Sequence, residues 1–262
     1  MARLRARRWW AVAGVLVVAL AVAVVATWPL IRRYTGAAPP AQLYEKIQLD
    51  PALAQDYGKV LGVAHNAGNN PGTTATALRD GADVIEIDVL SARGQLVAGR
   101  PQPWRWLAER LFQGPTLAQA WQQAAAASVI KLDLMQTDRK FLDELVAFLT
   151  ARSGSRRVMI SSRDPAALLY LHRRLPGRTL LFSVAFPDAV HRLESDHALQ
   201  EAVGGASVFQ GLVDAKLVSW LHEHKLIVLA WTVNEGGRFN QLIRLGVDGI
   251  TTANLAIPRA LG

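Results

Sequence analysis

The chain has 262 residues, of which 51% are hydrophobic, and it contains no cysteine. This length allows one large domain plus an additional segment, and the missing cysteine excludes disulfides, a thiolate metal site and a thiol nucleophile. The formal charge of +8 is concentrated: six of the 29 Lys and Arg residues flank an N-terminal apolar segment, leaving 23 basic against 21 acidic residues from Tyr34 onward. That near balance argues against a nucleic-acid partner.

The N-terminal segment Trp9–Ile31 is almost wholly apolar, with tryptophan at both ends. Its length suits a helix that crosses a bilayer, and tryptophan favours the headgroup layer. A cleaved signal peptide is the alternative, although its apolar core is usually shorter. Four arginines precede the span and two follow it. The sequence therefore predicts a single-pass membrane protein with the rest of the chain on the extracytoplasmic side.

A strand, a helix and a second strand follow. The apolar run Val60–Ala64 ends in His65 and a loop rich in Gly and Asn. Thr73–Asp80 is predicted to be a helix capped by threonine, and Ala82–Val89 a buried strand. In a βαβ unit both strands are parallel, so His65 is expected at the same rim as the end of the second strand.

Two acidic residues, Glu86 and Asp88, lie within the second of these strands. Because side chains alternate along a strand, both carboxylates point to the same side. Carboxylates in an apolar segment repel each other and lose hydration, so a divalent cation is the simplest partner for them. The alternative is a strand end with two solvated acids.

Further strands and helices continue the alternation to the end of the chain. Continuous apolar strands between helices indicate a parallel sheet covered on both faces, and eight units predict a (β/α)8 TIM barrel. A doubly wound open sheet is the alternative. The domain organisation is then 1–33 basic terminus and anchor, 34–58 linker and barrel entry, and 59–262 barrel. The predicted strands are Leu96–Ala98, Val129–Leu134, Arg157–Ser161, Thr179–Ala185, Ala206–Gln210, Leu226–Val233 and Val247–Thr251, and the predicted helices are Thr116–Ala127, Arg139–Arg152, Asp164–Arg174, Asp214–His224 and Glu235–Leu245.

In a barrel of this kind the chemistry lies at the carboxyl ends of the strands. Asp133 is a third acid in an apolar strand, and with Glu86 and Asp88 it makes an oxygen-rich site that suits Mg²⁺ or Ca²⁺, beside His65. Lys131 lies on the same strand face as Asp133, one layer deeper. It either neutralises a buried acid or takes part in the site by binding substrate.

The sequence resembles the glycerophosphodiester phosphodiesterases, within the phosphatidylinositol-phospholipase-C-like barrel superfamily. The resemblance spans Val60–Thr252 and rests on VAHNAG, GADVIEIDV, VIKLDL, VMISS, LIVLAWTVN and LIRLGVDGITT. It implies a barrel that uses one divalent cation and two histidines to cleave phosphodiesters. It also implies that His65 is the first histidine, that Glu86, Asp88 and Asp133 are the metal ligands, and that Trp231 is an aromatic wall of the substrate pocket.

The chain departs from the family pattern at four positions. Asn66 stands where the family has a phosphate-binding arginine, and Gly99 where it has the second histidine. Met135 and Ala253 replace a lysine and an aspartate. Asn66 and Arg100 are expected to bind the substrate instead, with Arg100 supplying positive charge from a shifted position. His191 or His197 is a candidate for the missing acid.

The resemblance implies a metal-dependent hydrolase of glycerophosphodiesters or related lipid-derived phosphodiesters, and the apolar segment Trp9–Ile31 predicts that it is anchored in the membrane. His65 would take a proton from the attacking hydroxyl. Because of the departures, two alternatives stay open. One is a barrel that binds a cation and an anionic lipid headgroup without turnover. The other is a sphingomyelinase-D-like or menorin-like branch of the superfamily.

Overall fold

The computed structural model describes residues 60–100, 114–152 and 157–261, in which strands and helices alternate. The expected anchor, the linker and most of the loop that follows Arg100 lie outside these residues. The strands are β1 Leu61–Ala64, β2 Val84–Ala92, β3 Gln95–Ala98, β4 Val129–Leu134, β5 Arg157–Ser162, β6 Thr179–Val184, β7 Gly205–Phe209, β8 Ile227–Trp231 and β9 Gly249–Thr252, and the helices are α1 Pro71–Arg79, α2 Leu117–Gln123, α3 Arg139–Thr150, α4 Pro165–Arg174, α5 Pro187–Ser195, α6 His197–Ala202, α7 Ala215–Glu223, α8 Gly236–Leu245 and α9 Ala256–Leu261.

Eight of the strands form a closed parallel barrel. The order is β1-β9-β8-β7-β6-β5-β4-β2, and β1 pairs with β2 to complete the ring. The ninth strand, β3, is antiparallel to β2 and lies outside the ring. The closed ring confirms the predicted TIM barrel and excludes the open doubly wound sheet.

The barrel interior changes from apolar to polar along the strand direction. Val63, Val84 and Val129 belong to an apolar layer that fills the amino-terminal end, together with Met159, Leu181 and Leu229. Because side chains alternate along a strand, the next inward position on each strand lies one layer closer to the carboxyl ends. On six of the eight barrel strands this position holds a buried polar residue: Glu86, Lys131, Ser161, Ser183, Ser207 and Thr251.

Helix ends and turns follow local sequence signals. Thr116 caps α2 with a reciprocal capping box with Gln119, and Asp164 caps α4 before Pro165. The other face of the strands packs against the helices in one large apolar core that includes Phe141, Leu168 and Phe239.

Several boundaries differ from those expected, and two of the differences have a clear local cause. Helix α1 begins at Pro71 and not at Thr73, because Asn70 accepts hydrogen bonds from the backbone N–H groups of Gly72 and Thr73. Strand β2 runs on to Ala92, since Arg93 and Gly94 both have positive φ and form a tight hairpin to β3. The strand therefore extends beyond Val89, where the sequence predicts its end.

None of the helices in the described ranges is long and apolar enough to cross a membrane. The expected span Trp9–Ile31 and the domain boundaries at 33 and 58 fall outside those ranges and stay predictions.

Candidate active site

Three carboxylates meet at the carboxyl end of the barrel. Strands β2 and β4 pair in parallel with Glu86 opposite Lys131 and Asp88 opposite Asp133. One oxygen of each of Glu86, Asp88 and Asp133 lies within 4.8 Å of the others. Glu86 and Asp88 are buried and Asp133 is partly buried. The structure thus brings together the three residues expected to bind a metal.

Lys131 is the buried partner of Glu86. Its Nζ lies 2.7 Å from Glu86 Oε1, and the two side chains are 3% and 4% exposed. Burial opposes ionisation of both groups, but their mutual attraction and hydrogen bond, together with the other charges of the site, outweigh it. The pKa of Glu86 is therefore held below its usual value and the pKa of Lys131 above its own. Of the two expectations for Lys131, neutralisation of a buried acid is the one this contact supports.

Asp88 is held by Asn69 and Arg100. Asn69 Nδ2 donates to Asp88 Oδ2 at 2.7 Å, and Asn69 Oδ1 accepts from the Asp88 backbone N–H at 2.9 Å. Arg100 Nε donates to the same Oδ2 at 2.8 Å. Burial and the charge of Glu86 nevertheless raise the pKa of Asp88 to about 6, with Arg100 opposing the shift.

Asp133 also has a raised pKa, because the loss of hydration and the charge of Glu86 disfavour its ionised form, with Lys131 opposing the shift. Ser161 on β5 donates a hydrogen bond from Oγ to Asp133 Oδ1 at 2.6 Å, which favours the charged form. Strand register explains this contact, since Ser161 is the residue paired with Asp133 across β4 and β5.

Close packing places Asn69 at the site. Residues Ala67–Asn69 form a 3-10 turn after β1. A Cβ on Gly68 would lie only 2.3 Å from Ile87 Cγ1, so glycine allows this turn to approach β2. The sequence interpretation missed Asn69, although the Gly and Asn content of the loop was the available signal.

His65, Asn66 and Arg100 form the outer part of the site. Arg100 Nη2 lies 3.3 Å from His65 Nε2 and donates to Asn66 Oδ1 at 3.2 Å. Because arginine only donates, His65 Nε2 is the acceptor and its imidazole is neutral. Burial lowers the pKa of His65 to about 4, with Glu86 opposing and Arg100 adding to the shift.

Gly99 directs Arg100 into this position. Its φ is +150°, a region that favours glycine over a residue with a side chain. Its backbone N–H donates to the Asp88 carbonyl at 2.9 Å, which ties the end of the hairpin to the site. The position that the resemblance aligns with a second histidine therefore carries a backbone conformation that disfavours one.

Trp231 lies at the end of β8 and is buried. Its Nε1 donates to the Ser207 carbonyl at 2.8 Å, and its ring packs edge-on against Phe209 with 5.6 Å between centroids. The guanidinium carbon of Arg163 lies 5.9 Å from the centre of the Trp231 ring. This arrangement fixes the ring at the same end of the barrel as the carboxylates.

The remaining histidines lie on the outer helices or at their ends. His191 is on α5, where its side chain is 80% exposed and its Nδ1 lies 3.5 Å from Glu194. His197 is the exposed first residue of α6. Among the contacts of the described residues, neither reaches the carboxylates, so the structure offers no support for either as the missing acid.

The donor set fits a divalent cation. Glu86 Oε2 and Asp88 Oδ1 are buried oxygens with no hydrogen-bond partner among the described residues. Orphaned buried carboxylate oxygens are costly, and hard cations such as Mg²⁺ and Ca²⁺ bind this type of oxygen. The two unpartnered oxygens and Asp133 are thus the groups that would hold the ion.

The fold and site define a class of protein: a closed parallel barrel with carboxylates, an imidazole and a guanidinium at the catalytic end. The sequence pattern of the glycerophosphoryl diester phosphodiesterase family matches residues 112–256, a segment that includes Asp133 and Trp231. The chain belongs to this family of phosphoric diester hydrolases. His65, Glu86, Asp88 and Arg100 precede the matched segment.

Several solved structures share the fold of this chain. An Oleispira antarctica phosphodiesterase in complex with the product sn-glycerol-3-phosphate is 18% identical with a TM-score of 0.60, covering 80% of this chain and 98% of that one. A glycerophosphodiester phosphodiesterase from Parabacteroides distasonis is 18% identical with a TM-score of 0.61, covering 78% and 96%. One from Thermotoga maritima is 15% identical with a TM-score of 0.58, covering 77% and 97%. No curated protein sequence matches the chain.

Proposed function

We propose that the barrel hydrolyses glycerophosphodiesters with the help of a divalent cation, Mg²⁺ or Ca²⁺. The observation that carries this proposal is the convergence of Glu86, Asp88 and Asp133 beside His65 and Arg100 at one end of the barrel. When bound to the three carboxylates, the cation would neutralise the phosphodiester and the charge that develops on its oxygens.

His65 is the proposed general base. Its lowered pKa keeps the imidazole neutral at pH 7, and the contact with Arg100 leaves the lone pair on Nε2. In this structure that lone pair accepts from Arg100 Nη2. Nε2 can therefore take the proton of the attacking hydroxyl, from water or from a neighbouring alcohol of the substrate, once the guanidinium has turned to the phosphate. The backbone N–H of His65 donates to the Thr252 carbonyl at 2.8 Å, which anchors the residue between β1 and β9.

Arg100 and Asn66 are proposed to bind the phosphate, with Trp231 as a wall of the pocket. The Arg100 side chain is 40% exposed, so a ligand can reach it, and its guanidinium already touches both His65 and Asn66. A guanidinium can bind two phosphate oxygens at once. Arg100 therefore compensates for the asparagine at the position where the family has an arginine.

Among the described residues, no side chain is placed to act as the acid for the leaving alkoxide. Gly99 carries no side chain, and general acid catalysis is typically worth about 10²–10⁴-fold in rate. We therefore propose slow turnover, or a preference for substrates with a good leaving group.

A lipid-derived phosphodiester is the proposed substrate, and the membrane is the proposed location. The apolar segment Trp9–Ile31 and the arginines around it support a single-pass anchor with the barrel on the extracytoplasmic side. Alkaline carbonate extraction tests the anchor, because an integral protein stays with the membrane pellet. Protease treatment of intact cells tests the side, because an extracytoplasmic barrel is digested.

An assay on the full-length protein in detergent tests the function. Glycerophosphodiesters and lysophospholipids are incubated with Mg²⁺ or Ca²⁺, and the products are separated. The Glu86→Gln/Asp88→Asn double variant should lose activity, whereas Glu223→Gln, which removes an exposed acid on α7, should keep it. Equal activity in all three proteins would refute the proposal.

A barrel that binds without turnover is the second candidate, favoured by Gly99 and Asn66 at the two altered positions. It predicts thermal stabilisation by the cation or by a glycerophosphodiester, with no product formed over extended incubation.

A further inference from the structure

Lys131 is a permanent positive charge inside the proposed cation site. Both partners of its contact with Glu86 are buried, and Glu86 Oε1 is committed to it at 2.7 Å. Of the two Glu86 carboxylate oxygens, only Oε2 has no partner among the described residues. The cation can therefore use one oxygen of Glu86 and not both.

The charge balance of the site follows from these contacts. Among the described residues, Glu86, Asp88 and Asp133 contribute three negative charges when all are ionised, and Lys131 and Arg100 contribute two positive ones. The Arg100 side chain is 40% exposed, whereas the Lys131 side chain is 3% exposed on strand β4. An incoming divalent ion therefore meets a fixed ammonium group next to one of its ligands.

We propose that Lys131 is a resident counter-charge that keeps the carboxylates together without a metal ion and weakens the affinity of the site for divalent cations. This inference rests on the proposed cation site and adds the residue that sets its affinity. A metal ion in such a cluster would neutralise the carboxylates. The ammonium group of Lys131 does part of this without a metal, because it balances the buried charge of Glu86. Repulsion between Lys131 and a divalent ion lowers metal affinity by a factor that depends on the local dielectric.

The test compares Lys131→Met with wild type and with Lys140→Met. Lys140 is an exposed lysine on α3, 4.0 Å from Glu144, and its loss removes the same charge far from the barrel interior. Calorimetric titration of each full-length protein with Mn²⁺, Mg²⁺ and Ca²⁺ gives Kd, and thermal unfolding with and without metal gives the shift in Tm.

Lys131→Met should bind the cation at least about tenfold more tightly than wild type, because a unit charge close to the ion is removed. Its Tm should fall in chelator and rise with metal by more than the Tm of wild type does. Lys140→Met should match wild type in both measurements. If Lys131→Met folds only when metal is present, the inference is supported equally.

Equal Kd in wild type and Lys131→Met would overturn the inference while leaving the proposed function intact. Metal binding by Lys131→Met but not by wild type would support the inference and refute a metal-dependent activity of the natural chain. No metal binding by either protein would overturn both. Lys131→Gln, whose amide still donates to Glu86, provides the same comparison if Lys131→Met aggregates, and failure of both variants to fold with or without metal would contradict the proposed role.

Discussion

The guanidinium of Arg100 bridges Asp88 and His65, with Nε 2.8 Å from Asp88 Oδ2 and Nη2 3.3 Å from His65 Nε2. Arg100 follows the β2–β3 hairpin, so it reaches the site from outside the barrel strands. Arg100 contacts Asn66, and it is Asn66 that occupies the position where the family has an arginine. The site thus contains a guanidinium, but Arg100 supplies it in place of the residue at position 66.

Arg100→Ala should lower kcat/KM for a phosphodiester by about 10- to 100-fold, because a hydrogen bond to a charged group contributes about 1.5–3 kcal/mol. Arg100→Lys should recover only part of this loss, since an ammonium cannot bind two phosphate oxygens in a planar geometry. Steady-state kinetics on both variants measure the effect. Arg173→Ala, which removes an exposed arginine on α4, is the control, and an unchanged kcat/KM in Arg100→Ala would exclude Arg100 from phosphate binding.

Asn69→Ala should impair activity and lower stability by about 1–3 kcal/mol, because it removes both hydrogen bonds to Asp88 and leaves buried polar groups unsatisfied. The neighbouring Asn70→Ala should lower stability by about 1 kcal/mol through loss of the α1 cap while leaving kcat/KM unchanged. Chemical denaturation and kinetics on the pair separate the two roles. Similar kinetics in both variants would argue against a positioning role for Asn69.

Gly99→Ala should destabilise the protein by about 1 kcal/mol or more, because the φ of +150° disfavours any side chain. Gly237→Ala is the matched control. Its Cβ would meet no atom within 4 Å on helix α8, so alanine should be neutral or slightly stabilising there. Denaturation curves measure both. Equal stability of Gly99→Ala and wild type would show that the backbone at 99 accommodates a side chain.

Acid affects His65 and Asp88 in opposite directions in the metal-free protein. His65 has a folded pKa of about 4 against an ordinary value of 6.5, so its contribution to stability is lost as the pH falls from 6.5 to 4. Asp88 has a folded pKa of about 6 against an ordinary value of 3.8, so the folded state gains stability as the pH falls through 6. The two effects oppose each other in the wild type.

Single substitutions separate these two contributions. Relative to wild type, His65→Asn should gain about 2 kcal/mol of stability between pH 7.5 and pH 4.5, and Asp88→Asn should lose a similar amount over the same change. Urea denaturation in chelator at the two pH values provides the free energies of unfolding. Parallel pH profiles for the three proteins would contradict the assigned protonation states.

The barrel and its carboxylates could be predicted from the sequence because both depend on short-range regularities. Alternation along β2 places Glu86 and Asp88 on one side, and the parallel order of the strands brings Asp133 next to them. The sequence alone could not show whether Lys131 pairs with Glu86 or with Asp133. That choice depends on the register of β2 and β4, which places Lys131 opposite Glu86. Register also determines that Ser161 faces Asp133.

The positions of Asn69 and Arg100 at the site depend on the conformations of loops. Loops have no periodic sequence pattern from which such positions could be predicted. Asn69 reaches Asp88 through the close approach of Gly68 to β2. Arg100 was expected to act from a shifted position, and its contacts to His65 and Asn66 agree with that expectation without testing it on substrate. The structure does not support His191 as the acid. Its position in the sequence indicated a helix but gave no information about the distance of that helix from the carboxylates.

Diffraction from crystals soaked in millimolar Mn²⁺ tests the cation site most directly, since anomalous scattering locates the ion independently of any assay. The account predicts one anomalous peak bound by Glu86 Oε2, Asp88 Oδ1 and Asp133. A peak elsewhere, or none at these oxygens with Mn²⁺ at saturating concentration, would contradict it.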